Sequence, residues 1–399
     1  MKRVLFVAYG SGHIRMVLPV ARALREQGRA QVQVLGLTTA APLVREAGLP
    51  LLQIKDFVMP GDEAALARGR ELVAQMDASA IDPQESAAYL GLCYQELEQD
   101  VGAAQAAQRY ARDARQAFLP QRLMRRVLER VGPDLLVATN SPRAERGAIM
   151  AAGDLGIPSL CMVDLFALDE VKWIGVPGYA ERVCVLNESV RAFLIAAGRQ
   201  PQEIVVTGNP AFDALSDPGH VHAGQRLRHE RGWDGRRVLL WPTQVEPAFH
   251  PFDGRPGDPT LPARALASVV EWVLARPDTV LCVRPRAGEA PPALPAHPRI
   301  VVTGQDIALP ALLHAVDLVV TLNSTVGLEG RLTGTRLVQV LGSVFDQAAP
   351  YARYGIADEA AAVAGIAGAL DRWSGEPRVA APQAGQATGR VLDVLYGLL

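Results

Sequence analysis

The sequence predicts an α/β protein with two halves, each built on a doubly wound parallel sheet. Short β-branched or leucine-rich runs alternate with longer helical patterns, which is typical of βαβ units. Runs such as VLFVA and DLVVTL are apolar at consecutive positions, as in strands covered on both faces. The chain has 399 residues. Because single hydrophobic cores rarely grow beyond about 250–300 residues, this length predicts two domains.

The predicted strands form two groups along the chain. The first group comprises residues 4–8, 31–37, 134–139, 159–163, 182–186 and 203–207. The second group comprises residues 238–242, 279–284, 299–303, 318–322 and 337–341. Helical patterns lie between most of them, for example at 15–27, 145–154 and 262–275.

Three stretches interrupt this alternation. Residues 61–130 are rich in Ala, Gln, Glu and Arg and predict two or three inserted helices, which either cover an acceptor cleft or enlarge the domain. The segment GNPAFDALSDPGHVHAG precedes the second group of strands, so we expect a first domain at 1–208 and a second at 209–385. The segment TQVEPAFHPFDGRPGDPTLP is a long Pro- and Gly-rich loop, which is uncommon unless it is functional or disordered.

Composition excludes several classes of protein. The formal net charge of -2 gives no basic surplus for nucleic-acid binding. The four cysteines have no metal-ligand spacing and predict reduced, buried thiols of a cytoplasmic protein. No apolar run approaches the ~18 residues of a membrane span. The start MKRVLFVAYGSGH indicates a first strand rather than a signal peptide.

The first candidate site is the loop after the first strand, which reads Gly10-Ser11-Gly12-His13. Glycines permit close approach and positive φ, and the helix that follows favours an anion at its N-terminus. Arg15 stands where a dinucleotide fingerprint requires its third glycine. His13 has a side chain suited to a general base. The alternative is a tight turn with a solvated histidine.

The second candidate site follows the strand at 318–322 and begins Asn323-Ser324-Thr325. These residue types cap helices, so capping alone accounts for them. Gly327 and Gly330 each cost a helix about 1 kcal/mol against alanine, which suggests that a ligand or another backbone approaches closely. Thr325 and Glu329 share a helix face. A diphosphate on this turn would leave Glu329 placed to accept hydrogen bonds from ribose hydroxyls.

The third candidate is the turn Gly208-Asn209 within VTGNPAFDAL, at the junction of the two halves. A purely structural turn is the alternative. In open α/β sheets ligands bind beyond the carboxyl ends of the strands, where all three candidates lie.

These three segments occur in an order that resembles GT-B nucleotide-sugar enzymes. The junction resembles that of the UDP-N-acetylglucosamine 2-epimerases. The segment NSTVGLEGRLTGTRLV is more similar to capsule-polysaccharide and lipopolysaccharide glycosyltransferases, including Kdo- and glycerophosphate-transferring relatives. CVRPRAG resembles their RPHP strand end, with Arg286 where the histidine would stand.

The resemblance implies two Rossmann-like domains facing across a cleft and a final helix, 386–399, that returns to the first domain. It places the donor diphosphate on Ser324 and Thr325, ribose on Glu329, and the loop carrying Gln244 beside the donor. It implies a UDP or CMP/CDP-type donor, a glycan or lipid-linked acceptor, no metal and no further cofactor. Peripheral membrane association is compatible with it.

The resemblance also implies catalytic roles. Arg284 or Arg286 would stabilise the leaving diphosphate, although an arginine at a strand end is also ordinary. His13 is the first choice for a general base and Asp164 the second, with capping the alternative role for Asp164. We expect backbone amides near 304–309 to select a pyrimidine.

Departures from the epimerase pattern favour group transfer. Hydrolysing epimerases carry a histidine–arginine–glutamate cluster and a His-x-Glu-Ala-Gly stretch, where this chain reads WPTQVEPAFHPF and CMVDLFALDE. A glycosyltransferase is therefore the first expectation and a 2-epimerase-like isomerase the second. A catalytically degenerate nucleotide-binding protein is the third.

Overall fold

The computed structural model describes residues 1–10, 12–76, 81–251, 253–379 and 385–399. The chain divides into two compact units: Met1–Ala211 with Gln386–Leu399, and Phe212–Gly385. Each unit is built on one sheet whose strands all pair in parallel. The predicted α/β class with two parallel sheets is confirmed.

The first unit contains a seven-stranded sheet in the order β3-β2-β1-β4-β5-β6-β7. Its strands are β1 (Arg3–Ala8), β2 (Gln31–Gly36), β3 (Leu51–Leu52), β4 (Leu135–Thr139), β5 (Ser159–Met162), β6 (Arg182–Val185) and β7 (Ile204–Val206). Its helices are α1 (Gly12–Glu26), α2 (Ala40–Glu46), α3 (Glu63–Ala74), α4 (Pro83–Val101), α5 (Ala103–Asp113), α6 (Gln121–Val131), α7 (Ala144–Asp154), α8 (Val171–Ile174) and α9 (Glu188–Ala196). Short 3₁₀ turns lie at Ile54–Phe57, Ala114–Ala117 and Pro201–Glu203.

The second unit contains a six-stranded sheet in the order β10-β9-β8-β11-β12-β13. Its strands are β8 (Arg237–Pro242), β9 (Thr279–Arg284), β10 (Ile300–Val302), β11 (Leu318–Thr321), β12 (Arg336–Val340) and β13 (Glu359–Ala361). Its helices are α10 (Pro218–Glu230), α11 (Leu261–Leu274), α12 (Leu309–Ala315), α13 (Thr325–Leu332) and α14 (Ile366–Trp373), with a 3₁₀ turn at Val363–Gly365. A further 3₁₀ segment, Pro210–Ser216, spans the boundary between the units.

The eleven predicted strands are present, with ends that differ by one or two residues. The structure adds β3 and β13, which are short strands at sheet edges. Neither has a run of apolar residues long enough to mark a buried strand in the sequence. Within its described residues, 61–76 and 81–130, the inserted region contains four α-helices, α3 to α6, rather than two or three. Gly102 and Ala114, both with positive φ, end α4 and α5 and divide what appears continuous in the sequence.

The chain ends in helix α15 (Ala387–Tyr396), which belongs to the first unit. Val391, Leu392 and Leu395 of this helix are buried in the same core cluster as β1 and α1. All four cysteines are free and buried, as predicted. Among the helices in the described ranges, none combines the length and apolar character needed to cross a membrane.

Helix α13 packs closely against the second sheet through two glycines. A Cβ atom on Gly327 would lie 2.8 Å from Thr321 Cγ2, and one on Gly330 would lie 2.9 Å from Val319 Cγ2. Side chains of the underlying strand therefore account for both glycines. The sequence interpretation, that a ligand or another backbone requires them, is wrong in this respect.

We predict that Gly330→Ala lowers the free energy of unfolding of the second unit by about 1–3 kcal/mol, because overpacking forces side chains from their preferred positions. The matched control is Gly368→Ala in α14, where the nearest atom to a new Cβ is the mobile end of Arg372 at 3.5 Å. Denaturation monitored by tryptophan fluorescence measures both variants. Equal stabilities would contradict close packing of α13 on the sheet.

Candidate functional site

Each sheet has one point at which the order of its strands reverses. In the first unit, β1 is followed outward by β2 and β3, and the chain then returns to place β4 on the other side of β1. In the second unit, β8, β9 and β10 run one way and β11 returns beside β8. Such reversals open a crevice at the carboxyl ends of the two diverging strands, where open α/β sheets bind ligands.

At the reversal point of the first unit, the loop after β1 carries the predicted glycine-rich segment. Gly10 lies against Thr39, because a Cβ on Gly10 would lie 1.8 Å from Thr39 Oγ1. Its φ is not positive, so close approach alone requires this glycine. Gly12 is the first residue of α1, and His13 follows in the same turn, half-buried. Ser11 lies outside the described residues.

A buried carboxylate that belongs to no motif in the sequence supports this loop. Glu145 lies in the first turn of α7 after β4 and has no exposed surface. Its Oε1 atom accepts hydrogen bonds from the Tyr9 amide at 2.7 Å and the Thr139 hydroxyl at 3.3 Å. Burial raises the pKa of Glu145, and the nearby positive charge of His13 acts in the opposite direction. In the sequence this residue looks like an ordinary acid at a helix N-terminus.

Two buried atoms near this loop are incompletely satisfied. His13 Nδ1 has no hydrogen-bond partner among the residues that the structure describes. Glu145 Oε2 likewise forms no hydrogen bond of normal geometry within that part of the chain, although the Ser141 hydroxyl is close enough to favour its ionised form. Buried polar atoms without partners are rare in folded proteins and are more frequent where a ligand, water or reaction supplies the partner.

Asp164, the second candidate base, also lies beside the loop after β1. Its Oδ2 atom would be 3.8 Å from a Cβ on Gly12. Its backbone is held on both sides: its amide donates to Asn140 Oδ1 at 3.0 Å and its carbonyl accepts from Asn209 Nδ2 at 2.7 Å. The structure therefore brings Gly12, His13 and Asp164 together, and Asn209 positions Asp164 through the backbone.

Gly208 has a structural explanation at the end of β7, an edge strand. Its φ is +78°, and a Cβ there would lie 3.3 Å from Ala387 Cβ and 3.2 Å from an Arg390 nitrogen. Arg390 also donates to the carbonyl of Thr207 at 2.8 Å. Gly208 thus allows α15 to pack here, four strands away from β1.

Two arginines from the start of α7 stack on aromatic rings near this reversal point. The guanidinium carbon of Arg143 lies 4.8 Å from the centre of the Tyr9 ring, and that of Arg146 lies 4.7 Å from the Trp173 ring. In the part of the chain that is described, neither arginine forms an ion pair. Neither arginine stands out in the sequence, since an isolated arginine carries no motif.

The reversal point of the second unit is organised by Gln244, which follows β8. Its Oε1 atom accepts hydrogen bonds from the Thr321 hydroxyl at 2.6 Å and the Leu322 amide at 2.8 Å. Its Nε2 atom donates to Asn323 Oδ1 at 2.6 Å. One carboxamide therefore bridges the two diverging strands, β8 and β11, through its oxygen and one of its two N–H donors.

The same polar chain continues away from Asn323. Asn323 Nδ2 donates to Ser343 Oγ at 2.8 Å, and Ser343 donates to Glu246 Oε2 at 2.7 Å. Glu246 is buried, and its other oxygen accepts from the Val344 amide at 2.7 Å. We call this set, from Thr321 through Gln244, Asn323 and Ser343 to Glu246, the Gln244 network. It fixes the turn between β11 and α13.

The turn held by this network presents the predicted phosphate-binding hydroxyls. Ser324 is the N-cap of α13 and accepts from the Val326 amide at 3.3 Å, while Thr325 is exposed. Glu329 is half-buried one turn later. Burial, and to a smaller extent the charge of Glu329, raise the pKa of Tyr351, whose hydroxyl donates to the carbonyl of Ser324 at 3.0 Å. Glu329 therefore lies close to the turn.

The two candidate cations differ in their surroundings. Arg284 is buried and donates to the carbonyls of Gly304 at 3.2 Å and Ile307 at 2.9 Å, so it holds the loop after β10. Burial lowers its pKa. Arg286 has 59% of its side chain exposed and pairs with Glu289 at 3.2 Å. Arg286 is thus the one of the two whose charge faces solvent.

Comparisons with known proteins agree with this architecture. Residues 286–365, about a fifth of the chain, match the family model described as capsule polysaccharide biosynthesis protein. No match was found among curated protein sequences. The fold resembles a UDP-GlcNAc 2-epimerase of Neisseria meningitidis at 11% identity, a TM-score of 0.55, and coverage of 99% of this chain and 100% of that one.

Two further solved structures resemble the chain over nearly its full length. A UDP-GlcNAc 2-epimerase of Methanocaldococcus jannaschii matches at 12% identity, a TM-score of 0.56 and 99% coverage of both chains. The glycotransferase of kitacinnamycin matches at 16% identity, a TM-score of 0.56, and coverage of 100% and 99%. The predicted resemblance to nucleotide-sugar enzymes of GT-B type is confirmed at the level of the fold.

We predict that Glu145→Gln changes the pH dependence of stability. A carboxyl whose pKa is raised by folding contributes stability below its unfolded pKa of about 4.3 and loses it as pH rises through the folded value. The side chain of the variant cannot ionise. The Tm of the variant minus the Tm of the unmodified protein should therefore increase as pH rises above about 4.3. Thermal denaturation across pH measures this.

The control for that series is Glu46→Gln, since Glu46 is exposed on α2. Its Tm difference from the unmodified protein should stay constant with pH. A constant difference for Glu145→Gln as well would show that Glu145 ionises without cost in the folded chain.

Proposed function

We propose that the protein is a metal-independent glycosyltransferase. It moves a sugar or related group from a nucleotide-activated donor to a glycan or lipid-linked acceptor in the synthesis of surface polysaccharide. The observation that carries this proposal is the Ser324–Thr325 turn, held by the Gln244 network at the reversal point of the second sheet, with Glu329 behind it. The match to the capsule polysaccharide biosynthesis family covers this turn.

On the donor side, each group has a chemical task. The first turn of α13 offers amides, hydroxyls and the positive end of a helix dipole to a diphosphate. Glu329 accepts from ribose hydroxyls, and Arg286 adds a positive charge near the leaving group. These groups are positioned before reaction, so they stabilise the charge that develops on the diphosphate as the glycosidic carbon–oxygen bond breaks.

On the acceptor side, His13 is the general base and Asp164 the alternative. His13 removes the proton of the acceptor hydroxyl as that oxygen bonds to the anomeric carbon of the donor sugar. A base that acts in this way typically contributes about 100–10,000-fold. Glu145, whose neutral form is favoured by burial, lies close enough to interact electrostatically with this histidine.

Epimerisation is the second candidate, because two of the structural relatives are UDP-GlcNAc 2-epimerases. At 11% and 12% identity these relatives share only the fold. Incubation with a nucleotide sugar and no acceptor separates the two functions. NMR measures the configuration of the sugar. Inversion at a sugar carbon of the free nucleotide sugar would show that the function is epimerisation and not transfer.

Nucleotide preference tests the donor side. We predict that UDP or a cytidine nucleotide binds more tightly than ADP or GDP in the presence of EDTA, because a small slot with a few backbone hydrogen bonds suits a pyrimidine. Glu329→Ala should weaken binding by about 1.5–3 kcal/mol, the scale of charge-assisted hydrogen bonds. Calorimetry measures both.

The matched control for Glu329→Ala is Glu271→Ala, which removes an exposed acid from α11 of the same unit. Its nucleotide affinity should be unchanged. Three results would contradict the donor assignment. They are tighter binding of a purine nucleotide, nucleotide binding only with added metal, and equal nucleotide affinities of Glu329→Ala and Glu271→Ala.

Turnover tests the base. We predict that His13→Ala loses about 100-fold or more in kcat and binds nucleotide normally, because a base acts in the transition state and not on the bound donor. His229→Ala, which removes an exposed histidine paired with Asp234, serves as the control. Loss of nucleotide binding with turnover preserved at saturation would make His13 a ligand contact, and Asp164 would become the candidate base.

A further inference from the structure

A groove lies in the second unit at the amino ends of β8, β9 and β10. Its volume is about 460 Å³, within the range of about 300–1,000 Å³ typical of ligand sites. The Ser324 turn follows the carboxyl end of β11, which pairs in parallel with β8. The groove, which we call the amino-end groove, therefore lies at the opposite edge of the sheet from the proposed donor site. Its charged and polar side chains are those of Arg231, Arg236, His297 and Arg299, and Trp233 also lines it.

The loop between α10 and β8 has a fixed conformation and carries two of these arginines. Beyond the end of α10, Gly232 has a φ of +63°, and the Trp233 amide donates to the carbonyl of Arg228 at 2.8 Å, as in a Schellman motif. Trp233 is buried and anchors the loop. The Arg236 amide donates to the Trp233 carbonyl at 3.0 Å. Arg231 and Arg236 thus lie at the two ends of a loop that packing and hydrogen bonds hold in place.

Several carbonyl groups of the segments that form the groove accept hydrogen bonds from arginines. Arg228 donates to the carbonyls of Trp233 at 3.2 Å and Arg236 at 2.7 Å. Arg299 donates to the carbonyl of Val273, in the last turn of α11, at 2.6 Å. These bonds take up backbone acceptors within the protein and fix the walls of the groove.

The side chains that line the groove are hydrogen-bond donors. Arg231 and Arg236 are exposed, and neither forms an ion pair with any residue of the described ranges. His297 Nδ1 accepts from the Arg299 amide at 3.2 Å, so the neutral ring of His297 carries its proton on Nε2. The planar fork of a guanidinium group matches the oxygens of a phosphate and stays charged at physiological pH. The groove thus offers donors and positive charge, which is the chemistry of an anion site.

The two acids nearest to the groove in sequence have partners of their own. Asp234, within the loop, lies 2.9 Å from His229, and Asp278, next to Pro277 of the lining, lies 3.6 Å from Arg237. Neither aspartate lines the groove. Three guanidinium groups therefore line one groove without a carboxylate among its lining residues, so no lining residue neutralises their charge.

We propose that the amino-end groove binds a small compound with two or more phosphate groups. One phosphate accepts hydrogen bonds from Arg231 and a second from Arg236, and the Nε2 hydrogen of His297 adds a neutral donor. Hydrogen bonds between charged groups are roughly twice as strong as neutral ones. The compound is not the donor of the proposed transfer, since the groove lies at the opposite edge of the sheet from the Ser324 turn. The site is therefore independent of the proposed transferase function.

Calorimetry with inorganic triphosphate tests the proposal on the full chain. UDP is present at saturation, so that the Ser324 turn is not available to the triphosphate. Triphosphate should bind, and inorganic phosphate should bind about tenfold more weakly or worse, because one phosphate cannot contact both arginines. Equal binding of inorganic phosphate, or no binding of triphosphate, would overturn the proposal.

Variants of the two exposed arginines locate the binding site. Arg231→Glu and Arg236→Glu should each weaken triphosphate binding about tenfold or more, as expected for a lost charged contact. Arg231→Gln and Arg236→Gln remove the charge at similar size and should also weaken binding, which keeps the test valid if a charge reversal disturbs folding. Unaltered affinity in the variants at both positions would overturn the assignment.

The matched control is Arg226→Glu, which reverses an exposed charge on α10 that does not line the groove. Its triphosphate affinity should change by less than about twofold at physiological salt, because salt screens exposed charges that do not contact the ligand. An equal loss in Arg226→Glu and in Arg231→Glu would show a general effect of surface charge and overturn the assignment to the groove.

Vesicles of phosphatidylglycerol, sedimented with the protein, test whether the phosphates belong to a lipid surface. Free triphosphate should bind and the vesicles should not. Vesicle binding that depends on Arg231 and Arg236, without binding of free triphosphate, would assign the groove to a membrane and overturn the small-ligand site.

UDP binding, measured on the same variants, separates the groove from the transferase function. If triphosphate binds through the two arginines and no nucleotide binds, the amino-end groove stands and the transferase function fails. If UDP binds normally in every sample and triphosphate binds in none, the groove site is wrong and the donor site is unaffected.

Discussion

The carboxamide of Gln244 is the interaction on which the second unit's candidate site depends. Parallel strands that diverge at a reversal point leave unpaired groups at their carboxyl ends, and those groups need partners when buried. Gln244 supplies both an acceptor and a donor: its oxygen accepts from Thr321 and Leu322, and its nitrogen donates to Asn323. These three hydrogen bonds set the position of the turn that carries Ser324 and Thr325, and they leave the second N–H of the half-buried carboxamide unused.

In the first unit, a carboxyl group and not a carboxamide is the hydrogen-bond partner at the reversal point. Glu145 holds the amide of Tyr9, and its ionised form is disfavoured by burial. A neutral side chain that accepted the same hydrogen bond would avoid that cost, since removing a carboxylate from water is expensive unless it is fully paired. His13 and Arg143 are positive groups that interact with Glu145. The proposed role of His13 as a base would give this buried acid a function beyond holding the Tyr9 amide.

Sequence patterns predicted the framework well and the electrostatics poorly, for physical reasons. Strands such as β1 and β11 are apolar on both faces and stand out, whereas β3 has two residues and no pattern. The positions of Ser324 at the N-cap of α13 and of Glu329 one turn later were predictable because turn chemistry and helix spacing are local. The burial of Glu145 was not predictable because it depends on packing between strands that are distant in sequence. Arg284 and Arg286 were equal candidates for the cation in the sequence, and the structure separates them, because Arg284 holds the carbonyls of Gly304 and Ile307, which no sequence pattern reveals.

Hydrogen–deuterium exchange with and without UDP tests the central claim, that the reversal point of the second sheet is the nucleotide site. The amides of residues 322–329 and 243–246 should become more protected when UDP is bound, because a ligand on the turn suppresses opening of the Gln244 network. The amides of α10, on the same unit, should not change. Protection confined to other segments, or saturating UDP without protection at 322–329, would contradict the account.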